Sequence, residues 1–101
     1  MLKAYDDRDG HIWMDGSLVP WRNANVHILT HALHYGSSVF EGERAYNGKI
    51  FKSREHSERL IKSGNYIDVP VPYSVDEIEE AKSLVLSNLG LKEAYIRAVC
   101  W

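Results

Sequence analysis

The chain has 101 residues, 45% of them apolar and 26% charged, with a formal net charge of −2. That length holds one modest domain, and the near-average composition argues against both a disordered chain and a membrane class. The twelve basic and fourteen acidic residues are spread along the chain without a basic stripe, which argues against a nucleic-acid partner.

The start, M-L-K-A-Y-D-D-R-D-G, carries acids where a signal peptide needs an apolar run, and no stretch is long and apolar enough to cross a bilayer. Cys100 is the sole cysteine, so neither an internal disulfide nor a cysteine metal site can form. The expectation is a protein of the reducing cytoplasm in which Cys100 serves as a small buried hydrophobe.

In chain order, His11–Met14 and Leu18–Trp21 flank Asp15-Gly16, a tight-hairpin signal. Pro20 cannot donate to a ladder, so the second strand lies at an edge or ends there. A short helix is expected over residues 30–35, capped by Thr30 and stopped at Gly36. Ser38 to Tyr46 reads as a strand that Asn47-Gly48 turns into Lys49-Ile50-Phe51. Ser53 is the expected cap of a helix running to about Gly64, with Leu60 and Ile61 inward. Two prolines keep 68–72 extended. Ser74 and Glu77 fit a capping box, and the helix beyond carries Ile78, Ala81, Leu84, Val85 and Leu89 at helical spacing, with Gly90 as its stop. Ala94 to Trp101 reads as a final strand, broken off with no turn or cap, as in part of a larger enzyme. Strands, two main helices and a strand make an α+β domain.

The stretch His31 to Tyr46, H-A-L-H-Y-G-S-S-V-F-E-G-E-R-A-Y, is unusually dense in polar and aromatic ends for a segment that only packs. Alternation along its strand puts Phe40, Gly42, Arg44 and Tyr46 on one face, with Val39, Glu41, Glu43 and Ala45 on the other. In the last strand Tyr95, Arg97, Val99 and Trp101 lie opposite Ala94, Ile96, Ala98 and Cys100. The small apolar residues suit packing under a helix. The mixed face suits a pocket for an apolar molecule with a carboxylate, which arginine grips with two parallel hydrogen bonds and tyrosine with a third. A solvent-facing sheet with cross-strand pairs is the alternative. Arg59, in E-H-S-E-R-L, reads either as a phosphate ligand or as an exposed partner of Glu55. His27, His31 and His34 have the spacing of one helical face, but no acid stands between them as in H-E-x-x-H, so structural hydrogen bonding is favoured over a metal site. None of the six lysines reads as the desolvated amine that Schiff-base chemistry needs.

These blocks resemble a known family. I-W-M-D-G, V-H-I-L-T-H-A-L-H-Y-G-S-S-V-F-E-G-E-R-A-Y, E-H-S-E-R-L and A-Y-I-R together are similar to the N-terminal small domain of a class IV (fold type IV) pyridoxal-phosphate aminotransferase, a branched-chain amino acid aminotransferase. The resemblance runs from Ile12 to Trp101 and implies a mostly antiparallel sheet packed against two main helices. It implies that Arg59 holds the cofactor phosphate and that Phe40, Gly42 and Tyr35 line the branched-side-chain pocket, Tyr35 across a dimer interface. Arg44 would lie near the pocket mouth, Tyr95 would bind the substrate α-carboxylate, and Arg97 would accept the distal carboxylate of glutamate. The catalytic Schiff-base lysine of that family lies beyond residues 1–101, so this domain alone is expected to be inactive. The implied cofactor is pyridoxal 5'-phosphate. The implied partners are branched-chain amino acids, glutamate, their 2-oxo acids and further copies of the same chain. Other readings are a D-amino acid transaminase or aminodeoxychorismate lyase of the same class, and a histidine-based metal-binding module. On the leading reading Phe40, Arg44, Tyr95 and Arg97 share one surface, with Arg59 directed toward it.

Overall fold

A computed structural model describes residues 2–101. The first hairpin pairs β1 (His11–Met14) with β2 (Ser17–Pro20), antiparallel and in register from His11↔Pro20 to Met14↔Ser17. Its turn residues, Asp15 and Gly16, have φ of 51° and 102°, the two left-handed conformations that a two-residue turn with the native strand twist requires. Pro20 ends the ladder, and a 3-10 turn over Trp21–Asn23 follows.

A three-stranded antiparallel sheet carries the rest. β3 (Val39–Tyr46) lies between β4 (Lys49–Ile50) and β5 (Ala94–Cys100), and Asn47-Gly48 makes the tight turn expected of it. Ser38, Phe51 and Trp101 fall just outside the strands assigned to them from sequence.

The short α1 (His31–Tyr35) starts after Thr30, whose hydroxyl makes no capping bond, and stops at left-handed Gly36. α2 (Ser53–Tyr66) departs more from expectation. Its N-cap is Lys52 in a left-handed conformation; Ser53 is already helical and donates instead to the Glu79 carboxylate, at 2.9 and 2.8 Å. The helix also passes through Gly64, which is buried in it rather than ending it. The reason is close approach: a Cβ there would stand 2.6 Å from the Val69 carbonyl oxygen as the proline-rich segment folds back. α3 (Val75–Leu89) has the capping box as read, with Glu77 N–H to Ser74 Oγ at 3.2 Å and Ser74 N–H to Glu77 Oε1 at 3.0 Å.

α2 lies on the inner face of β3 and β5, and α3 packs beside α2 and reaches β1. Leu60 of α2, Ile78 of α3 and Cys100 of β5 form the core, flanked by Val39, Ile61, Val69, Val71, Tyr73 and Ala98. Leu84 is more exposed than its spacing implied. The inward position is taken by Lys82.

That lysine corrects the sequence reading. Its ammonium is buried and donates to Glu43 Oε1 at 2.6 Å, to Ser57 Oγ at 2.7 Å and to the Ser53 carbonyl oxygen at 3.0 Å, with Glu79 Oε1 at 3.3 Å. Hydropathy spacing misses it because a lysine stem packs like a hydrophobe when its head finds acceptors. Glu43 is fully buried at its side chain, and its Oε2 has no partner among the described residues. Removing one member of such a pair strands a charge in the interior and costs about 3–5 kcal/mol, whereas replacing both is far cheaper. Lys82→Met should therefore lower the urea midpoint sharply, and Lys82→Met/Glu43→Leu should recover most of it. A single-variant loss under about 1 kcal/mol, the scale of an exposed pair, would contradict the burial argument.

Candidate functional site

Register assembles the outer face of the sheet. In the β3–β5 ladder Phe40 is opposite Val99, Gly42 opposite Arg97, and Arg44 opposite Tyr95. All six positions are exposed on the side away from the helices. Gly42 has no side chain, and the Tyr95 ring fills that space: a Cβ on Gly42 would stand 2.8 Å from the Tyr95 hydroxyl oxygen. The Arg97 guanidinium lies 3.8 Å above the centre of the Phe40 ring, a cation–π contact between diagonal neighbours. A phenol, a guanidinium and an aromatic ring thus share one open wall. Two depressions of about 310 and 180 Å³ lie elsewhere, the first lined by β4, Ser53 and α3 and the second between Trp13, Tyr73 and α3.

Arg59 belongs to the other side of the sheet. Alternation points Glu41 inward, between outward Phe40 and Gly42. There Arg59 Nε donates to Glu41 Oε2 at 2.8 Å and Nη2 to Oε1 at 2.7 Å. His56 Nδ1 is a further 2.6 Å from Oε1. The expected i,i+4 pair with Glu55 is not among the ion pairs; Glu55 is instead 3.7 Å from Lys52. The structure therefore gathers Phe40, Gly42, Arg44, Tyr95 and Arg97, and holds Arg59 behind them on the helix side. What connects the two sides is an open strand edge. β4 pairs only with Ala45 and Tyr46, so β3 from Val39 to Glu43 has no strand on that flank, and a ligand lying over it can reach both faces.

Tyr35 lies outside this group, 75% exposed at the end of α1 with its ring 4.6 Å from that of His31. The other histidines brace the same loop: His27 Nδ1 accepts from Leu29 N–H at 3.0 Å, and His34 Nε2 donates to the Ile28 carbonyl oxygen at 2.7 Å. Structural hydrogen bonding is thus their observed use. Among the described residues no three histidine, cysteine or acidic side chains cluster as a metal-binding group.

The sequence reading missed Glu41 and His56. A carboxylate on a strand face assigned to helix packing was the available signal, because a buried acid must find donors.

The family now follows. A sequence model described as amino-transferase class IV matches residues 38–101. The chain belongs to the class IV aminotransferases. A curated relative of this family from Rickettsia felis, a probable branched-chain-amino-acid aminotransferase, is 58% identical over 91 residues, covering 90% of this chain and 31% of its own. The branched-chain-amino-acid aminotransferase of Pseudomonas aeruginosa is 50% identical over 95 residues, with 90% and 31% covered. Among solved structures, the branched-chain amino acid aminotransferase of Escherichia coli superposes with a TM-score of 0.86 at 43% identity, covering 91% of this chain and 32% of that one. A thermophile-type relative solved as a branched-chain amino acid aminotransferase complexed with N-(5'-phosphopyridoxyl)-L-glutamate gives 0.87 at 41% identity, with 93% and 33% covered. The chain thus spans about a third of the length of the relatives it matches, and its α+β architecture is that of the N-terminal domain in this class.

The Arg59 hydrogen bonds hold the Glu41 carboxyl below its ordinary value of 4.5; burial works against them and His56 with them. For Glu79, burial acts upward, but the Ser57 and Ser53 hydroxyls and the Lys82 charge outweigh it and leave the group low as well. Both folded-state values lie below their unfolded ones. Their stabilisation is therefore complete above the ordinary carboxylate range and is lost as pH falls through the folded values. Glu41→Gln removes one of the two groups. Between about pH 5 and pH 2 its unfolding free energy should decline less steeply than that of the wild type. Parallel curves would show that Glu41 carries no such linkage.

Proposed function

We propose that the full-length protein is a branched-chain amino acid aminotransferase, moving the amino group of leucine, isoleucine or valine to 2-oxoglutarate with pyridoxal 5'-phosphate as cofactor. The observation that carries the reading is the Arg97–Phe40 contact beside Gly42 and Tyr95, a wall that is cationic at one end and aromatic at the other. Such a wall suits two substrates in turn. The aliphatic side chain of leucine packs on the Phe40 ring, over the space Gly42 leaves free. The distal carboxylate of glutamate takes the Arg97 guanidinium, whose planar fork matches it at two points. Tyr95 donates its phenolic hydrogen to the α-carboxylate common to both, and Arg44 lies one pair further along the ladder, at the mouth.

The residues present also fit the cofactor. Arg59 uses its Nε–Nη2 edge on Glu41 and is 66% exposed at its side chain, leaving the Nη1 edge for a phosphate. When bound, pyridoxal phosphate supplies the electron sink that stabilises charge on the substrate carbon. The groups described here bind and orient; none is assigned a proton transfer.

The loop and α1 expose Val26, Ile28, Leu29, Leu33 and Tyr35. That much apolar surface in one segment fits an interface between copies of the chain, which would bring Tyr35 into the pocket of a neighbouring subunit. A cytoplasmic enzyme accords with the lone, buried Cys100.

The test is kinetic, on the full-length protein. Arg97→Met should lower kcat/KM for glutamate by about 10- to 100-fold, the worth of a charge-assisted hydrogen bond, while kcat/KM for leucine changes little. Equal losses on both substrates, or a wild type that prefers D-alanine to leucine, would overturn the reading.

A further inference from the structure

We propose that Glu41 is the positioning residue for Arg59: it grips the Nε–Nη2 edge of the guanidinium so that the Nη1 edge is presented, already oriented, to the phosphate monoester of the cofactor. The inference rests on the reading of Arg59 as the phosphate ligand and adds to it the group that makes a long, exposed side chain into a fixed one.

Three observations support it. The two-point attachment, at 2.8 and 2.7 Å, fixes the plane of the guanidinium as well as its position. The anchor itself is rigid, because Glu41 is 5% exposed, sits within a paired strand and is held at its other flank by His56, 2.6 Å away. Arg59 also forgoes the acid one turn back on its own helix, Glu55, and reaches across to the sheet. Arg54 on the same helix shows the ordinary arrangement, with ion pairs to the exposed side chains of Glu58 and Asp76.

Charge and orientation make opposite predictions for this arrangement. Glu41 places a negative charge behind Arg59, so by electrostatics alone Glu41→Gln should tighten binding of a phosphate dianion. If Glu41 acts by positioning, the same change frees the guanidinium to sample many rotamers and binding weakens. Loss of an outer-shell partner of this kind typically lowers ligand affinity about 10- to 100-fold.

The experiment is a spectroscopic titration of the full-length apoenzyme with pyridoxal 5'-phosphate and, separately, with pyridoxal, which lacks the phosphate. Glu41→Gln should raise Kd for pyridoxal phosphate by about 10- to 100-fold and leave Kd for pyridoxal unchanged. Arg59→Ala should do at least as much, and adding Glu41→Gln to it should have no further effect, since Glu41 acts only through Arg59. Arg59→Lys, a surface change that keeps the charge but loses the fork, should resemble Arg59→Ala. Tighter binding by Glu41→Gln, equal losses for both ligands, an undiminished effect in the Arg59→Ala background, or wild-type affinity in Arg59→Lys would each overturn the proposal. Wild-type affinity in Arg59→Ala would instead remove Arg59 from the phosphate site, and the positioning role with it.

Discussion

Two carboxylates on the inner face of one strand organise this domain. Glu41 and Glu43 point from β3 into the layer beneath the helices, where an unpaired charge is not tolerated. Each therefore dictates what must face it: Arg59 and His56 from α2 for the first, Lys82 from α3 for the second. Hydrophobic packing of Leu60, Ile78 and Cys100 brings the layers together, but apolar contact is non-directional and tolerates sliding. Ion pairs of defined geometry do not. They fix which helical residue meets which strand residue.

That register reaches the opposite face through the period of two. With Glu41 and Glu43 turned inward, Phe40, Gly42 and Arg44 must turn outward. The antiparallel ladder then sets Arg97 and Tyr95 beside them. The polar layer under the sheet and the binding wall over it are therefore two consequences of one strand's alternation. The open flank of β3 lets Arg59 on one side and the wall on the other serve a single ligand.

Much of this was legible in the sequence. Asp15-Gly16 and Asn47-Gly48 specify their turns because two consecutive left-handed residues admit few side chains. The Ser74–Glu77 box marks the start of α3 because both of its bonds are local. Strand alternation grouped Phe40, Gly42, Arg44, Tyr95 and Arg97 correctly. The misreadings share one cause, polar contacts between residues distant in sequence. Ser53 looked like a cap, Arg59 like the partner of Glu55, and Lys82 like a solvent-facing lysine. Their actual partners, Glu79, Glu41 and Glu43, lie 26, 18 and 39 positions away. Gly64 is the steric counterpart: it looked like a helix end, and what it accommodates is the Val69 carbonyl oxygen after the chain has turned back. Local propensity carries no information about such encounters.

The central claim is that Glu41 and the outer wall act on one ligand from the two sides of β3. A crystal structure of the full-length protein with N-(5'-phosphopyridoxyl)-L-glutamate tests it most directly. The account predicts the phosphate on the Nη1 edge of Arg59 with both Glu41 hydrogen bonds retained, and the distal carboxylate of the glutamyl group on Arg97. Arg59 swung away from Glu41 to meet the phosphate, or a glutamyl group that leaves Arg97 stacked on Phe40 and untouched, would contradict it.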